Sequence, residues 1–433
     1  MDLQAFQNHI QVMDLDETPS VEVSEDVVVD RQLAGFDPSF WGDYFITNKK
    51  SQSEAWMNER VKELKNEVRS MFQNVTGVLQ TMNLIDTIQL LGLDYHFMEE
   101  IDRALDHLKD VDMSKYGIYE VALHFRLLRQ KGFNISSDVF KKYKNKEGKF
   151  MEELKDDAKG LLSLYNAAYL GTKKETILDE AISFTKDNLT SLLKDLNPTV
   201  AKLVSLTLKT PIQRSMKRLF TRCYISIYQD EPTRNETILE LAKLDFNILQ
   251  CLHQEELKKV CMWWKKLNLD IMHLNFIRDR VVECYCWSMV IRHEPSCSRA
   301  RLISTKDAFE WFATFPKIIE ACAMIVRITN DITSTEREQK RVHVASTVDC
   351  YMKEYGTSKD VACEKLLGFV EDAWKTINEE LLTKTGLSRE VIELSLHSSR
   401  STELIYKHVD AFTEPNTSMK ENIFFLLVHP IPI

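Results

Sequence analysis

Apolar residues return every three to five positions along most of this 433-residue chain, the spacing that lines one face of a helix. The segment WMNERVKELKNEVRSMF (56–72) shows it: Trp56, Val61, Leu64, Val68 and Phe72 share a face, with charged and polar residues between them. The pattern recurs, with short polar breaks, over 86–108, 117–133, 156–171 and 176–193. No run of alternating strands interrupts it, and no fixed-period repeat marks a solenoid. The pattern predicts an all-α chain.

Three stretches depart from the period. Residues 1–30 are acidic, polar and unpatterned, which predicts a flexible segment. RQLAGFDPSFWGDYF (31–45) is rich in aromatic residues and contains Gly and Pro, which predicts an ordered, non-helical strap on a surface. The third break falls around Pro232, in a polar cluster. There Asn235 can cap the following helix and Glu236 suits its first turn. The breaks divide the chain into a flexible segment (1–30), a first helical domain (31–230) and a second (235–433).

Composition sharpens the helical reading. Glycine numbers 12 in 433 residues, under half the usual share of about 7%. Ten prolines are equally few breakers for so long a chain. The net charge of −9 argues against a nucleic-acid or membrane-surface footprint. It leaves room for an anionic substrate held by a local arginine cluster. The nine cysteines form no CxxC pair and no zinc spacing, which predicts buried free thiols in a reducing compartment. No apolar run reaches membrane-spanning length; IFFLLV (423–428) is core-sized. The acidic N-terminal stretch lacks the look of a secretory or transit peptide, which predicts a cytosolic protein.

Within this helical frame one stretch gathers chemistry. In ITNDITSTEREQKR (328–341), Asn330, Ser334 and Glu338 stand four residues apart. Each step of four drifts about 40° around a helix, so the three oxygens line one stripe about 12 Å long. Amide, hydroxyl and carboxylate oxygens suit a hard Mg²⁺ that also keeps waters or substrate phosphates. Arg327 lies one turn before the stripe, with Lys340 and Arg341 just after it. The bland alternative is a solvated polar face with ordinary i,i+4 contacts. A second cluster, FIRDRVVECYCW (276–287), sets Arg278 and Arg280 around Asp279 ahead of an apolar helix. This arginine pair can clamp a diphosphate at the mouth of an apolar pocket, where Trp287 can face a carbocation. Its bland counterpart is a charged surface run with a core tryptophan.

With these residues in view, the chain resembles the plant terpene synthases, most closely the angiosperm sesquiterpene cyclases, over about residues 31–433. RQLAGFDPSFWGDYF resembles the family's N-terminal Arg/Trp strap. LLSLYNAAYL (161–170) and ETILELAKLDFNILQ (236–250) resemble helices of its two domains. IRDRVVECYCW is similar to its Arg-x-Arg element, and RITNDITSTERE (327–338) to its second metal motif. STVDCYMKEYG (346–356) and YKHVDAF (406–412) resemble the segments after that motif and at the closing loop, although Phe412 stands where tyrosine is usual. The resemblance implies an N-terminal α-barrel-like domain followed by a class I terpenoid synthase helical domain. It implies that Asn330, Ser334 and Glu338 hold Mg²⁺ (or Mn²⁺), and that Arg278, Arg280 and Arg327, helped by Arg341, bind the substrate diphosphate. It gives Trp287, Tyr406 and Asp410 roles in pocket shape or proton handling. The implied partner is a prenyl diphosphate, farnesyl diphosphate for a cytosolic enzyme, and the implied state is a monomer.

One family element is missing. The first metal motif, DDxxD, occurs nowhere in the chain. The one adjacent aspartate pair, Asp156–Asp157, belongs to the first domain and suits a surface helix start. SCSRARLISTK (296–306) resembles the segment leading into DDxxD, and DAFEWFATFPKIIEA (307–321) the segment long after it. They abut at Lys306–Asp307, which implies a second domain truncated at 306/307 and short of several helices. Asp307 and Glu310 at the seam can share a helix face as substitute ligands, or simply supply first-turn acids. Three functions follow: a sesquiterpene synthase with impaired or lost activity, a non-catalytic helical protein that binds prenyl diphosphates or pairs with intact synthases through newly exposed faces, and a residual hydrolase of farnesyl diphosphate.

Overall fold

The computed structural model describes residues 41, 43–47, 55–266, 306–340, 344–383, 387, 389–411, 413 and 418–433. Among them the secondary structure is helical, with one isolated bridge between Lys144 and Phe150 as the only β pairing. The helices in chain order are α1 (Tyr44–Thr47), α2 (Ala55–Asn74), α3 (Val78–Leu90), α4 (Met98–Leu108), α5 (Ile118–Gln130), α6 (Ala158–Ala168), α7 (Thr176–Leu192), α8 (Pro198–Lys209), α9 (Lys217–Gln229) and α10 (Glu236–Lys266). After residues outside the described set come α11 (Lys306–Ala313), α12 (Lys317–Glu338), α13 (Thr347–Tyr355), α14 (Lys359–Leu381), α15 (Arg389–Tyr406) and α16 (Ser418–Leu427).

The periodic stretches become helices for the reasons their patterns gave. In α2, Val61, Leu64 and Val68 are buried, while Trp56 at the head of the stripe stays 47% exposed. Asn235 caps α10, its Oδ1 accepting from the Ile238 amide at 3.0 Å. Asp157 caps α6 by accepting from the Gly160 amide at 2.8 Å, so the aspartate pair is the exposed helix start that the sequence suggests. Ile423, Leu426 and Leu427 of the 423–428 run are core residues.

Two expectations fail. The run 86–108 is not one helix but α3, a 3₁₀ turn at 94–96, and α4. Gly92 breaks it with φ of +69°, and a Cβ there would stand 2.7 Å from Thr221 Oγ1 of α9. The close approach of α9 requires the glycine. The strap is also only partly non-helical: residues 44–47 form a helical turn, and Trp41 and Phe45 are buried in place of lying on a surface. Trp41 packs its ring 4.9 Å from Phe424. The rest of residues 31–45 lies outside the described set. Among the described cysteines all are free, but only Cys261 and Cys322 are buried; Cys223 and Cys350 are exposed.

The apolar side chains gather in two principal cores. The first takes residues from α1–α7, α9, α10 and α16, and the second from α12–α15. A small satellite joins α6, α7 and α8. The first core is organised around a buried carboxylate on α10. Asp245 accepts from Tyr95 Oη at 2.5 Å, contacts His96 Nε2 at 2.8 Å and faces Arg218 Nη1 at 3.4 Å. Burial pushes the Asp245 carboxyl up, but His96, Arg218 and Tyr95 together hold it below its ordinary value.

Polar contacts tie the two cores together. Arg214 grips Glu371 of α14 with both terminal nitrogens at 2.7 and 2.5 Å. Its guanidinium lies 4.8 Å from the Tyr169 ring and 4.9 Å from Trp374. Asn378 donates to the Tyr169 and Gly171 carbonyls, both at 2.9 Å.

Because the native Asp245 pKa lies below the unfolded value, its contribution is complete above about pH 4 and is lost as pH falls through the native pKa. Asp245→Asn should cost about 3 kcal/mol at pH 7, as breaking a buried charge network does. It should also flatten the acid limb of stability against pH. Denaturant unfolding between pH 2.5 and 7 checks both.

Candidate active site

The amphipathic pattern of α12 gives it two working faces. Ile318, Ala321, Cys322, Ile325 and Ile328 turn into the second core. Ala323, Met324, Val326 and Arg327 are exposed on the other side. Together with α11 and α15 that side forms a cleft of about 510 Å³. Arg327 and Asn330 line it from α12, Phe312 from α11, and Leu394, Ser398 and Tyr406 from α15. The cleft thus mixes a cation, an amide and a phenol with apolar side chains from all three helices.

The three oxygens of the stripe lie on α12 as their spacing predicts, but they are not equally presented. Asn330 lines the cleft and is half-buried. Ser334 is buried, and its Oγ has no hydrogen-bond partner. Glu338 is half-buried at the last turn. A buried hydroxyl without a partner costs free energy, so the orphaned Ser334 Oγ fits a further partner such as a hard cation. Amide, hydroxyl and carboxylate are oxygen donors of the kind Mg²⁺ takes. Among the described residues no three His, Cys, Asp or Glu side chains cluster as a metal site of their own. Asp307 and Glu310 are exposed at the start of α11, where Glu310 pairs with Lys306 at 3.2 Å.

Sequence reasoning passed over Asp331. Its side chain is buried, and Oδ2 accepts from the Thr347 amide at 2.7 Å and from Thr347 Oγ1 at 2.5 Å. The same oxygen holds Arg327 Nε at 3.1 Å, although the Arg327 side chain is 65% exposed. Asp331 therefore fixes both the cleft arginine and the start of α13, where Ser346 and Asp349 form a capping box. An acid directly after Asn330, about 100° from it around the helix, was the available signal.

Of the other candidates, Tyr406 lines the cleft from the end of α15. Asp410 closes a turn, accepting from the Thr413 amide at 3.0 Å, and is not part of the cleft wall. Arg278, Arg280, Trp287, Arg341 and Phe412 lie outside the described residues. No helix among the described residues is long and apolar enough to cross a membrane.

Comparison with known proteins gives this arrangement a family. The structure superposes on limonene synthase with 2-fluorolinalyl diphosphate with a TM-score of 0.80, at 21% identity, over 92% of this chain and 99% of that one. It superposes on grey poplar isoprene synthase in complex with three Mg²⁺ ions and dimethylallyl-S-thiolodiphosphate with a TM-score of 0.74, at 23% identity, over 87% and 98%. In sequence, residues 40–208 match the terpene synthase N-terminal domain. The terpene synthase metal binding domain matches in two pieces, 265–307 and 304–376. The chain is 69% identical to (S)-beta-bisabolene synthase of Zingiber officinale, over 97% of this chain and 100% of the relative. It is 42% identical to alpha-humulene synthase of Zingiber zerumbet, over 92% and 96%. The chain belongs to the terpene synthase family. The first of these alignments runs over 550 positions against 433 residues here, so more than a hundred of its positions hold no residue of this chain. The two matches to the metal binding domain meet at 304–307.

Two substitutions separate architecture from ligation. Asp331→Asn should destabilise the apo chain by about 2 kcal/mol, the scale of a lost charge-assisted bond. Ser334→Ala should leave apo stability within about 0.5 kcal/mol or raise it slightly, because it removes a buried hydroxyl that has no partner. Parallel denaturation curves without metal test the contrast.

Proposed function

We propose that this chain is a class I terpene synthase of the sesquiterpene type whose ionising power is impaired or lost. The observation that carries the reading is the cleft that Arg327, Asn330 and Tyr406 line together with apolar side chains of α11, α12 and α15. Asn330, Ser334 and Glu338 would hold Mg²⁺, with Mn²⁺ the other dication that suits these oxygens. When bound, the metal supplies Lewis-acid stabilisation of the diphosphate leaving group. Arg327, kept in place by Asp331, binds and orients the diphosphate of farnesyl diphosphate, with Arg278, Arg280 and Arg341 as its helpers. Trp287, Tyr406 and the apolar wall shape the hydrocarbon space and exclude water, and Asp410 serves the closing loop.

The impairment follows from the missing carboxylates. No DDxxD occurs in the sequence. The meeting of the two domain matches at 304–307 supports a second domain (235–433) truncated at 306/307, behind a first domain of 31–230. Without a facing carboxylate wall, the site forfeits most of the electrostatic stabilisation that ionisation demands. Farnesyl diphosphate as substrate goes with a cytosolic location.

A second reading takes the same cleft as a binding surface. Phe312 and Val326 are 41% and 37% exposed along it, and Met324 is 38% exposed on the same helix as Val326. This favours a non-catalytic chain that binds prenyl diphosphates or pairs with intact synthases through that face, departing from the family's monomer.

Purified chain with farnesyl diphosphate and Mg²⁺ should bind substrate by calorimetry. Glu338→Ala or Arg327→Ala should weaken that binding about tenfold. Volatile products should fall orders of magnitude below those of the ginger relative assayed alongside. A cyclic sesquiterpene made at the relative's rate would refute the impairment. Absence of Mg²⁺-dependent binding would refute the site itself.

A further inference from the structure

The helix that carries the oxygen stripe, α12, also turns one face to solvent. Glu320, Ala323, Met324 and Arg327 are all exposed on it, at the i, i+3, i+4, i+7 spacing of a helix-pairing seam. Phe312 and Val326 extend the face along the rim of the cleft. Just ahead of α12 the chain turns at Phe315, whose ring is 60% exposed and whose φ is +51°. A bulky residue seldom adopts that angle, because it costs free energy. The turn thus holds an aromatic ring out in water at a backbone cost. Exposed aromatics and methionine are the side chains that anchor protein interfaces.

The charges on the face say what fits it. Glu320 and Arg327 stand seven residues apart, two turns of helix, so they lie about 10 Å apart on one line with about 20° of drift. Ala323 and Met324 lie midway between them. Glu320 is exposed and pairs with no cation among the described residues. Arg327 meets Asp331 through Nε while its side chain stays 65% exposed, so its terminal nitrogens are open to a partner. Turned end for end, the same face presents Arg327 where Glu320 stood and Glu320 where Arg327 stood. A second copy laid antiparallel across it, about a two-fold axis between Ala323 and Met324, meets an opposite charge on each side of that axis. At the axis the small Ala323 lets the helices approach closely, and the flexible Met324 of each copy fills the space beside it.

We propose that this chain forms a two-fold dimer through the exposed face of α12, with Glu320 of one protomer paired to Arg327 of its partner. The dimer rests on the second reading above, the cleft face as a protein-binding surface, and makes its occupant a second copy of this chain. Because Ala323, Val326 and Arg327 also line the cleft, the dimer covers the cleft mouth.

Sedimentation velocity on the full chain, without metal or substrate, tests this. The chain should pass from monomer to dimer between about 1 and 100 µM, the range of a modest exposed interface. Glu320→Arg sets two like-charge pairs in each dimer and should weaken it at least about tenfold. Arg327→Glu should do the same. In an equimolar mixture of these two variants every mixed dimer regains two opposite-charge pairs. A heterodimer should therefore form although neither variant dimerises alone, a result that a folding defect does not produce. Met324→Lys brings two ammonium groups together at the axis and should abolish association with the circular dichroism unchanged, since Met324 is exposed. A monomer throughout this range, or a dimer indifferent to both Glu320→Arg and Met324→Lys, would overturn the proposal. Adding the ginger relative then separates the two ideas. Association with the relative but not with a second copy removes this dimer and leaves the surface a binding face for intact synthases; association with neither removes both.

Discussion

A carboxylate sealed inside a helical core is the constraint on which the rest of this molecule hangs. Asp245 cannot stay ionised there alone, because an unpaired buried charge costs several kcal/mol. Its partners come from the 94–96 turn and from α9, so satisfying one charge fixes three separate pieces of chain. Once α10 is fixed, its neighbours have a surface to pack on. Arg60 of α2 reaches Glu240 at 2.8 Å with two nitrogens, and Asn247 exchanges hydrogen bonds with Ile431 beyond α16. The two ends of the described chain are thereby fastened to one helix.

The cleft uses the same economy on a smaller scale. Asp331 is buried so that Arg327 can be exposed and still ordered, and so that the chain can restart at Thr347. The Asn-Asp doublet thus splits its labour by helix geometry. Neighbouring residues sit about 100° apart, so one turns toward the cleft and the other toward the core. Cys322 and Ser399 complete the join between α12 and α15, with the hydroxyl 3.1 Å from the sulfur. Chemistry on this helix therefore rests on a rigid support.

Much of this was legible in the residue pattern. The helical class, the Asn235 and Asp157 caps, and the stripe of Asn330, Ser334 and Glu338 all follow from period and local chemistry. The break at Gly92 did not show, because apolar spacing continues across it. Only the approach of Thr221, 129 positions away in sequence, makes it necessary. Burial of Trp41 also depended on a distant partner, Phe424. Within the site, spacing placed three oxygens on one stripe but said nothing of depth, so the burial of Ser334 came only with the fold. Asp331 was hidden by its position between more obvious candidates.

The seam between the two cores has a different character from the cores themselves. It is fastened by directional polar contacts: Arg214 wedged between Tyr169 and Trp374 and gripping Glu371, Asn378 reading two carbonyls, Lys375 reaching Asp179 at 2.8 Å. Such contacts set orientation while each core keeps most of its hydrophobic interior to itself, although Leu404 and Ile405 of α15 also pack against the first core. Each half therefore carries its own inheritance. Change confined to the helices around α11 and α12 can accumulate, be trimmed or be traded while the first core keeps its shape. A lineage built this way can experiment with one half of a protein at little risk to the other.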